Sequence, residues 1–66
     1  MNTEPTTTKV AGAVAHALDK ARAHGDRAEA QAQAGTLAVL RAAIAGKTPD
    51  EMRAASRAAR AAEDAR

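Results

Sequence analysis

At 66 residues the chain can hold one domain, and a domain of that size buries only about 60% of the surface its unfolded chain exposes. Its hydrophobic content of 45% is mostly alanine, 21 residues, beside nine larger apolar side chains and no aromatic, which excludes a sizeable core. The lack of cysteine excludes disulfides and thiolate metal sites, and a net charge of +2 is too small to argue for nucleic acid by itself. No apolar run approaches the roughly twenty residues of a membrane span, and MNTEPTTTKV does not read as a signal peptide, so a cytoplasmic location is expected.

Residues 1–7 contain Pro5 and no hydrophobic pattern, and are expected to be a disordered tail ahead of a single helical domain over 8–66. A first helix is expected over 8–24, capped by Thr8, with Val10, Val14, Leu18 and Ala21 at helical spacing on one face. Gly25 can adopt the left-handed conformation that closes it. Asp26 followed by Glu29 matches the two positions of a capping box and restarts the chain as a second helix over 26–45.

In that second helix Ala30, Leu37, Leu40 and Ile44 share one face, while Val39 lies on the other with Ala28, Ala32 and Ala43, so both sides call for cover. Gly35 costs about 1 kcal/mol relative to alanine within a helix, and a break before Thr36 is one reading. Thr36 to Leu40 can also be read as a short strand, although no partner strand is evident.

After Gly46, Thr48, Pro49, Asp50 and Glu51 supply an N-cap, an N1 proline, a first-turn acid and the N3 member of a capping box, so a third helix is expected over 49–64. The segment IAGKTPDEMRAAS, Ile44 to Ser56, resembles the boundary entering the helix-turn-helix of many transcription regulators. That resemblance stops at Ser56, because Arg-Ala-Ala-Arg follows with no turn and no separate recognition helix.

On the third helix Met52, Ala55, Ala59 and Ala62 form one stripe, and Ala54, Ala58, Ala61 and Ala65 an adjoining one. Together they make a broad alanine surface suited to close helix packing. Arg53, Arg57 and Arg60 form the opposite ridge. They are candidates to fork onto a partner's carboxylates or to bind successive phosphates. The competing reading is a solvated face, with Arg53 near Asp50, and Arg60 near Glu63 and Asp64. Arg57 has arginine neighbours and no acid one turn C-terminal.

His16 and His24 stand too far apart around one helix to chelate an ion together, so no metal site is expected. The usual nucleophile and phosphate-loop signatures are absent, so no catalytic residue, cofactor or small-molecule substrate is expected either. The composition and pattern lead to an all-α fold of three short helices in a small bundle or hairpin assembly, completed by self-association or by a partner protein. Its expected association face is Val39, Ala43, Ala54, Ala58 and Ala61. The alternative is a small nucleic-acid-binding protein using the Arg53, Arg57, Arg60 ridge.

Overall fold

The computed structural model describes residues 4–66, with side chains from Thr6 onward, and is a three-helix, all-α structure: α1 Glu4–Ala23, α2 Arg27–Ile44 and α3 Pro49–Asp64. Helix α1 starts four residues before the expected 8–24 span, so Thr8 lies inside it rather than capping it. Pro5 falls in the first turn, where its missing N–H would have had no intrahelical acceptor, and so does not stop the helix. Residues 1–3 of the expected tail lie outside the described residues. No described helix is long and apolar enough to cross a membrane.

The two turns share one geometry. At the end of α1 the Gly25 amide donates to Arg22 O at 3.1 Å and the Asp26 amide to Ala21 O at 2.9 Å, with Gly25 at φ 73°. At the end of α2 Gly46 donates to Ala43 O at 3.0 Å and Lys47 to Ala42 O at 2.9 Å, with Gly46 at φ 77°. Both are Schellman motifs, which satisfy the last carbonyls of a helix and need the left-handed residue that glycine supplies without strain.

Helix starts are equally explicit. Thr48 Oγ1 accepts from the Glu51 amide at 3.2 Å, and Glu51 Oε1 accepts from the Thr48 amide at 2.8 Å, a complete capping box. The box expected at Asp26 is one-sided: Asp26 Oδ1 accepts from the Glu29 amide at 3.1 Å, but Glu29 Oε2 accepts from Gln33. The reason is local, since the Asp26 amide already donates to Ala21 O in the preceding Schellman motif.

Helix α2 runs unbroken through Gly35, and Thr36 to Leu40 are helical. α2 is central, packing against α1 on one side and α3 on the other, while α1 and α3 have no Cα atoms within 8 Å of each other. The Cα extents of 39 × 23 × 12 Å agree with three helices abreast. Two interaxial spacings near 9 Å plus one Cα cylinder of about 4.6 Å give roughly 23 Å. The fold thus sets α2 between α1 and α3.

Its core is small. Leu18 and Ala21 of α1 meet Ala30, Ala34 and Leu37 of α2, with Val14, Ala11, Ala15 and Ala59 partly buried around them. α2 is covered by α1 on the side of Ala30 and Leu37 and by α3 on the side of Gly35. Of the second face expected from the sequence only Val39 is half-buried, and Ala28, Ala32 and Ala43 are exposed, because α3 approaches along Gly35 instead. Helix α3 turns Met52, Ala55, Ser56, Ala59 and Glu63 toward the protein as half-buried residues, whereas Ala54, Ala58, Ala61, Ala62 and Ala65 are exposed. The broad alanine surface expected from the sequence therefore splits, and one narrow stripe packs.

Two measurements test this account. Thr48→Ala should lower stability by about 0.5–2 kcal/mol in urea unfolding, the range for deleting an N-cap oxygen. Ala59→Leu should cost about 1–3 kcal/mol by overpacking the α3 contact, while Ala58→Leu, on the exposed side, should stay within about 0.5 kcal/mol. Equal costs at the two alanines would mean that α3 is rotated relative to this packing.

Candidate interaction groove between the second and third helices

The α2–α3 contact is close because Gly35 has no side chain. A Cβ placed there would stand 2.6 Å from Arg60 Nε, 2.9 Å from Ser56 Oγ and 3.1 Å from Arg60 Cγ. The Arg60 side chain therefore lies against α2 in the notch that Gly35 leaves, and a larger residue there would require the side chains of Arg60 and Ser56 to shift. Arg60 is still exposed overall, but its stem lies along the neighbouring helix rather than in water.

Beside the notch lies a shallow groove of about 280 Å³ lined by Val39, Arg53, Ser56, Arg57 and Arg60. The three arginines of the ridge thus meet Val39, a residue assigned from sequence to a separate association face. Val39 is half-buried here, while Ala43, Ala54, Ala58 and Ala61 are exposed. On the helical wheel Ala54, Ala58 and Ala61 fall on the side of α3 away from its contact stripe, so those five residues do not make one continuous face.

The acids near the ridge are distributed differently from the helix-neighbour expectation. Arg53 Nη2 bonds to Asp50 Oδ1 as expected. Glu63 and Asp64, however, do not pair with Arg60. Arg22 of α1 donates through Nε and Nη2 to the two carboxylate oxygens of Glu63 at 2.9 and 2.6 Å, a bidentate fork. Arg27 of α2 reaches Asp64 O at 2.7 Å and Asp64 Oδ1 at 3.1 Å, and Gln31 Nε2 reaches the same Oδ1 at 2.7 Å. Arg60 is thereby left without the acids expected beside it, and neither Arg57 nor Arg60 has a carboxylate partner among the described residues.

This clasp ties the C-terminus of α3 to the end of α1 and the start of α2. The Glu63 side chain is only 7% exposed, and Arg66 adds a second guanidinium at 3.5 Å. The hydrogen bond from Arg22 holds the Glu63 carboxyl below its ordinary value of about 4.5, against a smaller opposing effect of desolvation, and the same bond raises the Arg22 guanidinium further into its charged form. One signal for the clasp exists in the sequence: two acids in the last turn of a helix face the negative end of its dipole, which is unfavourable unless cations arrive from elsewhere.

No protein-family model, curated protein or solved structure matches the chain.

Because Glu63 ionises more readily in the folded state, its contribution to stability is complete above about pH 4.5 and is lost as pH falls through the lowered folded value. Glu63→Gln should therefore melt below the parent at pH 7, and the gap should close on acidification below about pH 4.5 in circular-dichroism melts. A gap that persists unchanged at low pH would assign the loss to packing rather than to the ion pair.

Proposed function

We propose that the chain is a cytoplasmic, non-enzymatic protein–protein interaction module, an adaptor, regulator or inhibitor, that self-associates or docks on another protein through faces its own fold leaves open. The thinness of the core carries this reading. The buried apolar residues are two leucines and four alanines, and among the described residues no large side chain is fully buried. Val10 and Ile44 are 45% and 41% exposed, and the alanines on the back of α3 stand in solvent. Small domains of this kind usually gain stability from a disulfide, a metal or association, and the sequence has no cysteine.

The non-enzymatic part rests on the character of the groove. Its serine, Ser56, is surrounded by arginines and Val39, and no histidine or carboxylate lines the groove to serve as a base. The second reading, nucleic-acid binding through the ridge, is favoured by the unpaired Arg57 and Arg60. Against it stand the absence of any aromatic side chain for base stacking and the small net charge.

Sedimentation equilibrium and thermal melts over a roughly hundredfold concentration range test the reading, since association raises the apparent melting temperature by mass action. The expected result is a mass above the 6.7 kDa monomer and a rising melting temperature, both little affected by salt. A monomer at every concentration would exclude self-association. Tight binding to duplex DNA that weakens steeply with salt, in a chain that stays monomeric, would replace the module reading by the nucleic-acid one.

A further inference from the structure

We infer that the α2–α3 groove is a docking site for an acidic, amphipathic helical segment of another protein, with its carboxylates on Arg57 and Arg60 and an aliphatic side chain on Val39. The inference rests on the interaction-module reading and names the partner's chemistry and the place it binds. Its basis is the uncompensated charge of the groove. Every acid whose side chain is described already has a partner in its own chain: Asp19 and Glu63 hold Arg22, Asp26 and Glu51 cap helices, Glu29 holds Gln33, Asp50 holds Arg53 and Asp64 holds Arg27. Arg57 and Arg60 line the groove with no such partner, one helical turn apart, so they repel each other until an anion arrives.

Three further observations select the occupant. Gly35 leaves room for the stem of Arg60 to lie against α2 beside the groove. Val39 gives the groove an apolar patch that a phosphate backbone has no group to use, whereas a helix carrying acids and an aliphatic residue on one face would use both. Along α2 the residues flanking Val39 on its outer side, Ala28, Ala32, Thr36 and Ala43, are small and exposed, which lets a partner helix lie close.

A second copy of this chain fits poorly. Its described carboxylates are engaged, and groove against groove would oppose arginine to arginine. The ligand chemistry that complements the groove is a free pair of carboxylates at one-turn spacing beside an aliphatic side chain.

The test uses a fluorescently labelled, alanine-based helical peptide of about twenty residues with glutamates at i and i+3 and leucine on the same face, against the same peptide with glutamine for glutamate, and against a DNA duplex of about 20 base pairs. Anisotropy titrations of the full chain should show the glutamate peptide binding about tenfold or more tightly than its glutamine control. Arg57→Glu should weaken that peptide by about tenfold while leaving the helical circular-dichroism spectrum intact, and a peptide with lysine in place of glutamate should recover affinity for that variant. Lys20→Glu, an exposed charge on α1 outside the groove, should change affinity by less than about threefold.

Equal binding of the glutamate and glutamine peptides, equal loss from Arg57→Glu and Lys20→Glu, or tighter binding of DNA than of the glutamate peptide would each overturn the inference. If the peptide fails while the chain still associates with itself, the groove assignment falls and the module reading stands. If the peptide fails, the chain is monomeric throughout and DNA is bound, both fall together.

Discussion

Helix α2 has apolar or close-contact residues on both flanks, Ala30 and Leu37 in the cluster with Leu18 and Ala21 of α1, and Gly35 and Val39 against α3, and the arrangement of the whole molecule depends on that. A helix that must be covered twice keeps its two neighbours apart. α1 and α3 consequently flank it without packing on each other. That arrangement buries leucine only near its middle and leaves Val10 and Ile44 in solvent. Wide exposure of small side chains and a shallow groove beside α3 follow from the same geometry.

Charge then organises what hydrophobic burial leaves loose. α1 and α3 have no close backbone approach, and among the described residues the fork of Arg22 on Glu63 ties them directly, with Arg27 and Gln31 holding the last turn of α3 alongside. Exposed pairs such as Arg27 and Asp64 contribute little individually. The enclosed Glu63 carboxylate is different, since two guanidiniums and restricted water access make it the most constrained ionisable group of the clasp. Committing Glu63 and Asp64 to other helices deprives Arg60 of the neighbours it would have had on an isolated α3, and it joins Arg57, which has none along the helix. The clasp and the unpaired groove are therefore two results of one redistribution of acids.

Most of the local architecture was determined by the sequence alone. Thr48, Pro49 and Glu51 encode the start of α3 within four residues, and Gly25 and Gly46 encode the turns, because caps and left-handed closures are governed by nearest neighbours along the chain. The face of α2 that meets α1 was also legible from the spacing of Ala30 and Leu37, whereas the second expected face, Val39 with Ala28, Ala32 and Ala43, stays largely exposed. The start of α1 was not, because Pro5 and the threonines from Thr6 to Thr8 carry no strong signal of their own and their state is set by continuity with the helix that follows.

Tertiary structure decided which of two equally good alanine stripes on α3 packs, what Gly35 is for and where each arginine finds a partner. Alanine at Ala58 and Ala59 looks identical on a wheel, and only the approach direction of α2 separates the exposed one from the packed one. Gly35 reads as a helix weakness until Arg60 and Ser56 are seen to occupy the space of its missing side chain. Ion pairing at long sequence separation cannot be read from helix-neighbour spacing, which places Glu63 and Asp64 beside Arg60, whereas the packed helices give Glu63 to Arg22 and Asp64 to Arg27. The physical reason is common to all three: caps and turns depend on atoms a few residues apart, whereas packing stripes, notches and cross-helix charges depend on the direction from which a distant segment arrives.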